Sequence, residues 1–147
     1  TGVDSSSKLD LLLSIGADHV MDYENEDFTS GAKLYDLVLD VVAYRSIFAY
    51  RRSLALGGTF IYIGGSTSAI FQALLIAPLL TRNSDQKMGI VPWRPNDKDD
   101  LEYLTGLFEA GVISPVIDKT YPLSEVPQAA RYLADGHVKG KVVMNVN

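Results

Sequence analysis

Apolar and polar positions fall in short blocks along this chain, and the period of each block names an element. Thr1-Gly2-Val3 reads as the end of a strand. Leu9, Leu12 and Leu13 then recur at helical spacing behind Ser5-Ser6-Ser7, whose hydroxyls can cap a helix start, and Gly16 stands where that helix needs a left-handed residue to stop. His19 to Tyr23 reads as a short strand. Tyr35 to Val42 is apolar on both alternating faces, the pattern of a buried parallel strand. A helix of about three turns follows, with Ile47, Phe48, Tyr50 and Leu54 inward and Gly57-Gly58 as its stop. Thr59 to Ile63 predicts a strand ending in Gly64-Gly65, Ile70 to Leu80 an apolar helix, and Lys87 to Val91 a strand cut off by Pro92 and Pro95. Asp97 is placed to cap a helix carrying Leu101, Leu104 and Phe108 that Gly111 ends. Val116 to Tyr121 is extended, Ser124 opens a helix with Val126, Ala129, Ala130 and Leu133 inward, and Lys141 to Val146 closes the series as a strand.

Strand and helix alternate from end to end, so the class is α/β with a largely parallel sheet. Composition narrows the function. Thirteen Lys and Arg against 18 Asp and Glu leave a net charge of −5, which disfavours nucleic acid as a partner because phosphate neutralisation needs a basic face. With no Cys, disulfides, thiolate chemistry and Cys-ligated zinc are excluded. The longest apolar stretch, Ala69 to Leu80, is broken by Gln72 and Pro78 and is too short to span a bilayer. No signal peptide opens the sequence, and a cytoplasmic domain is the expectation.

Ligands of open parallel sheets bind at the carboxyl ends of the strands, and that rule selects residues before any family is considered. Asp4 follows the first strand and reads either as a carboxylate accepting hydrogen bonds from ribose hydroxyls or as one more helix cap. Ser5, Ser6, Ser7 and Lys8 suit phosphate oxygens, or are simply a solvated helix start. Tyr23 can stack on adenine, or is simply an exposed tyrosine at a strand end that needs no function. Val42-Ala43 and Gly64-Gly65 end the third and fourth strands, and the glycines either let a ligand approach the backbone or supply a positive φ. His19, His137, Arg51-Arg52, Trp93 and Lys141 read as structural or solvated groups. No nucleophile–base set and no suggestive carboxylate pair appears, so no residue is assigned as catalytic.

Ser14-Ile15-Gly16-Ala17-Asp18-His19-Val20-Met21-Asp22-Tyr23 with Glu26-Asp27-Phe28, then Tyr35 to Val42 before Leu56-Gly57-Gly58-Thr59, resembles the medium-chain dehydrogenase/reductase superfamily. Asp99-Asp100-Leu101, Glu109-Ala110-Gly111, Pro115 to Leu123 and Gly136-His137 through Val143 resemble its C-terminal segment, and the nearest branch is the quinone oxidoreductase-like or zinc-binding dehydrogenase group. The resemblance implies an α/β, Rossmann-like, mostly parallel sheet with flanking helices over residues 1–147, holding NAD(H) or NADP(H) for hydride transfer. It places the cofactor against Asp4, Ser5, Ser7, Lys8 and Tyr23 at the adenosine end and against Val42, Ala43, Ile63, Gly64 and Gly65 at the nicotinamide end. Asp4 favours NAD, whereas Ser7 and Lys8 favour NADP.

The family's first strand and glycine-rich turn would lie upstream of Thr1, as would its GroES-like catalytic domain, so the sheet is expected to be incomplete and the chain inactive alone, with no zinc bound. In the family's strand order three-two-one-four-five-six, that first strand is central. A fragment, a reordered sheet or edge pairing with a second copy would each answer the gap, and a fragment forming a homodimer is the expectation. The alternative reading is a non-catalytic nucleotide-binding or dimerisation domain. A methyltransferase-like α/β enzyme fits the segment order less well.

Overall fold

The computed structural model describes residues 1–91 and 97–146, and the chain divides into two compact units, Thr1–Trp93 and Arg94–Asn147. The expectations about Pro92, Trp93 and Pro95 fall outside the described residues.

In the first unit, β1 (Gly2–Asp4) leads through a single 3-10 turn into α1 (Leu9–Ser14) and on to β2 (Val20–Asp22). β1 and β2 pair in parallel, with Val3 opposite Met21. β3 (Tyr35–Asp40), α2 (Ile47–Ser53), β4 (Leu54–Tyr62), α3 (Thr67–Phe71), a π turn (Gln72–Ile76), α4 (Ala77–Thr81) and β5 (Lys87–Ile90) follow. β3, β4 and β5 form a second parallel ladder in that order, separate from the β1–β2 pair. The expected α/β class and parallel strands are therefore present. Pro78 explains the π turn. It has no N–H to give Leu74, and the Ala77 N–H reaches back five residues to the Gln72 carbonyl.

The core lies under β4, where Phe60 and Tyr62 meet Tyr50 of α2, Ala69 of α3 and Ala73, with Leu54 and Ala43 closing the cluster. Phe60 stacks on Tyr50 with ring centroids 4.2 Å apart. Burying each such ring contributes about 2 kcal/mol, so this aromatic knot anchors the unit.

Three expectations are corrected here. α2 stops at Ser53 rather than at Gly57-Gly58, because Leu54 is buried as the first residue of β4 and the Gln86 side-chain amide donates to the carbonyls of Arg51, Leu54 and Ala55. The glycines instead mark an irregularity inside β4. Gly57 has φ +74°, and the pairing with β3 slips between Tyr35–Leu54 and Leu37–Thr59. The Ser5 hydroxyl makes no cap hydrogen bond and lies 3.3 Å from Ser7 Oγ, while the Ser5 N–H donates to the Asp4 carboxylate. β3 is not buried on both faces. Leu37, Leu39 and Val41 are 54%, 56% and 62% exposed, because only β4 pairs with this strand among the described residues.

The second unit holds α5 (Lys98–Glu109), β6 (Ile117–Pro122), α6 (Val126–Ala134) and β7 (Lys141–Asn145), with β6 and β7 parallel. Asp97 caps α5 as expected, its carboxylate accepting the N–H groups of Asp99 and Asp100. Of the four inward residues expected on α6, only Ala129 is buried; Val126, Ala130 and Leu133 are exposed. Asp118 stitches this unit together, accepting the Tyr132 hydroxyl at 2.7 Å and the Lys139 N–H at 2.8 Å, and both bonds hold its carboxyl below the usual range.

Candidate functional site

β1 and β3 face each other across a cavity of about 560 Å³. Asp4 and Lys8 line it from the end of β1, Tyr23 from the end of β2, and Asp40 to Val42 and Tyr44 from the end of β3. The carboxyl ends of three parallel strands thus meet at one mouth, the position at which open α/β sheets receive ligands.

At the β1 end, Asp4 Oδ1 accepts the Ser5 N–H at 2.8 Å and lies 3.5 Å from Lys8 Nζ. The 3-10 turn between them sets this geometry, bringing the lysine back over the carboxylate. Tyr23 sits edge-on to Tyr44 with ring centroids 6.1 Å apart, forming an aromatic wall across the mouth.

The turn after β3 is held by a polar network around the buried Tyr50 side chain. Asp40 Oδ1 accepts the Val42 N–H at 3.0 Å, and the Gly64 carbonyl accepts the Ala43 N–H at 3.2 Å. The Tyr50 hydroxyl accepts both the Tyr44 and Arg45 N–H groups at 3.1 Å and hydrogen-bonds the Asp40 carboxylate. Burial, followed by that bond to Asp40, raises the Tyr50 pKa well above the ordinary value. Four successive amides, from residue 42 to 45, are therefore committed inside the protein, and a ligand lying on this turn is left carbonyls and apolar surface. Beside it, Arg45 pairs with Asp27 at 3.1 Å and stacks on Tyr44. The Thr29 hydroxyl, ahead of the Arg45 charge, keeps the Asp27 carboxyl below its usual range.

Among the residues selected from sequence, Asp4, Lys8, Tyr23 and Val42 share the cavity. Ser5 and Ser7 flank it on the turn, and Ala43 is buried behind it. Ile63 is half exposed past the end of β4. Gly64 and Gly65 have their own structural reason. A Cβ on Gly64 would run into the Val41 carbonyl oxygen, and Gly65, at φ +146°, forms a parallel bridge with Ala43. The glycines thus let the ends of β3 and β4 close on each other. Asp40, Tyr44 and Tyr50 were not selected as site residues. Asp40 carries the one usable signal, a carboxylate inside an apolar strand run, which is costly unless it has hydrogen-bond work to do. No group of three or more His, Cys, Asp or Glu side chains is arranged to hold a metal ion among the described residues. Likewise, no described helix is long and apolar enough to cross a membrane.

Comparison with known proteins places the chain in a family. The family described as zinc-binding dehydrogenase matches residues 15–144. The chain is similar to the mitochondrial NAD(P)H oxidoreductase RTN4IP1 of Drosophila melanogaster, 26% identical over 97% of this chain and 38% of that protein. It is also similar to the chloroplast envelope quinone oxidoreductase homolog of Arabidopsis thaliana, 24% identical over 98% of this chain and 44% of that one. Among solved structures, the quinone oxidoreductase from Coxiella burnetii superposes with a TM-score of 0.73 at 23% identity, covering 99% of this chain and 44% of that one, and so shares the fold. The chain spans about two fifths of the length of these relatives. On the family match, its 147 residues belong to the zinc-binding dehydrogenases of the medium-chain dehydrogenase/reductase superfamily.

Proposed function

We propose that this chain is the cofactor-holding part of a larger NAD(P)H-dependent oxidoreductase and that it positions the nicotinamide for hydride transfer without catalysing a reaction alone. The observation that carries the proposal is the gathering of Asp4, Lys8, Tyr23 and Val42 at one mouth, at the carboxyl ends of parallel strands. The names of the relatives support the same reading: NAD(P)H oxidoreductase and quinone oxidoreductase homolog.

The residues present fit a dinucleotide. Asp4 has acceptor capacity for ribose hydroxyls, Lys8 supplies a cation for phosphate, and the Tyr23–Tyr44 wall offers a ring face to a base. The Val42–Arg45 turn, with its amides committed, leaves carbonyls to accept from a carboxamide. When bound, the cofactor supplies the hydride chemistry, and this chain orients it. Among the described residues, no set of donors fits a zinc ion.

Substrate contacts then belong to the remainder of the larger protein, and the assembled enzyme is proposed to be a homodimer. Titration of the chain with NADPH and NADH, followed by protein fluorescence, tests the reading. Saturable binding without turnover of added quinone is the expected result. Flat titrations together with a stable dimer would favour a non-catalytic assembly domain, and turnover by the chain alone would overturn the claim of inactivity.

A further inference from the structure

We infer that Asp40 leaves the cavity with a net negative charge at the end of β3 and so makes it bind the oxidised form of a nicotinamide cofactor in preference to the reduced form. The inference rests on the cofactor reading above and adds to it a choice between redox states.

Three charged side chains line the cavity: Asp4, Lys8 and Asp40. The first two stand 3.5 Å apart as an ion pair and offset each other. Asp40 has no ion-pair partner among the described residues. The Arg45 guanidinium is turned to Asp27, at 3.1 Å. Lys33 Nζ donates to Thr1 Oγ1 at 3.0 Å, which puts it, with the Thr1 amino group, at the amino end of β1 and away from the mouth. Facing Asp40 from α2 and β4 are Tyr50 and Tyr62, both raised above the ordinary tyrosine value and therefore neutral. Nothing offsets the Asp40 charge.

That charge is also held in place. Asp40 Oδ1 accepts the Val42 N–H at 3.0 Å, and the Tyr50 hydroxyl hydrogen-bonds the same carboxylate. Along the wall beside it stand only aliphatic side chains, Leu37, Val38, Leu39, Val41 and Val42, so its field is screened less than it would be in open water.

The chemistry of the ligand supplies the rest. Oxidised and reduced nicotinamides differ by one positive charge, carried on the ring, and the ring end is the one assigned to the Val42–Arg45 turn. A fixed carboxylate attracts the cationic ring and does little for the neutral one. The bound couple is thereby drawn toward its oxidised form, which lowers its potential and makes the reduced form the stronger donor.

The test is a ratio of dissociation constants. NAD⁺ and NADH, and NADP⁺ and NADPH, are titrated by calorimetry into the 147-residue chain and into Asp40→Asn, whose side-chain oxygen can still accept the Val42 N–H. The substitution should move the ratio toward the reduced form by about threefold or more. In the unsubstituted chain, raising salt from about 0.05 M to about 0.5 M should shrink the preference for the oxidised form, whereas the ratio for Asp40→Asn should stay nearly level. Amide hydrogen exchange at Val42 reports whether the variant keeps the turn. If it does not, the salt series on the unsubstituted chain decides alone, and a level ratio there overturns the inference. A ratio unmoved by Asp40→Asn, or moved toward the oxidised form, would overturn it while leaving the cofactor reading intact. Flat titrations with all four nucleotides would instead remove that reading, and this inference with it.

Discussion

Asp4 and Lys8 are bound to each other, carboxylate oxygen to ammonium nitrogen at 3.5 Å, one helical turn apart at the carboxyl end of β1. Each would favour a different cofactor, and in this structure they share their charge. A 2′-phosphate entering here must break the pair and lie against the carboxylate, whereas a 2′-hydroxyl needs only an acceptor. On the proposed function, Asp4→Ser should shift the ratio of NADPH to NADH affinity toward NADPH by roughly tenfold, the size of one charged contact. Lys8→Ala should move it the other way. Paired fluorescence titrations measure the ratio, and a ratio indifferent to both substitutions would remove these residues from the ribose.

Tyr50→Phe keeps the stacked ring and deletes only the hydroxyl that holds the Tyr44 and Arg45 amides and Asp40. Two part-buried donors then lose their acceptor, at a cost of about 1 kcal/mol. The substitution should lower the melting temperature and speed hydrogen exchange at Tyr44 and Arg45, while the β4–β5 ladder stays protected. Unchanged exchange at those two amides would show that the hydroxyl does not set the turn.

The close approach of Gly64 to the Val41 carbonyl makes Gly64→Ala destabilising, by about 1–3 kcal/mol, since the ends of β3 and β4 must part to admit a methyl group. Gly106, by contrast, sits inside α5 with nothing near the position of its Cβ. Gly106→Ala should therefore stabilise by about 0.5–1 kcal/mol through helix propensity. Urea unfolding of the two variants compares them directly, and a shared sign would contradict the packing seen here.

Much of the fold was legible because local chemistry decided it. Gly16 and Gly111 end their helices at positive φ, Asp97 caps α5, and the strand periods of β1, β2 and β5 lie where the residues put them. What was not legible depended on distant partners. Leu54 continues a helical spacing, but Gln86, more than thirty residues later, binds the carbonyls beside it and helps make it a strand residue. Hydrophobicity on both sides of β3 says that the strand needs cover without saying which chain supplies it. The strand-end rule found the mouth of the site through Asp4, Lys8, Tyr23 and Val42. It could not find the Asp40–Tyr50 network, whose members are ten residues apart and meet through the backbone of the turn between them.

That network, with its counterpart in the second unit, also makes stability depend on alkaline pH. Burial, and then the charge of Asp40, pushes Tyr62 up to about 12. Tyr132 is likewise raised to about 12, chiefly by the hydrogen bond it gives Asp118. Their ordinary value is 10.0, so the folded chain keeps these protons where the unfolded chain gives them up. Stability from this source is complete below about pH 10 and declines as pH rises from 10 through 12. Denaturant unfolding repeated between about pH 9 and 11, with tyrosinate absorbance recorded alongside, should show stability falling before the folded protein's raised tyrosines ionise. Tyr132→Phe removes one contributor and should flatten part of the decline. Stability that holds level across this range would mean that the tyrosines ionise as readily in the folded chain as in the unfolded one.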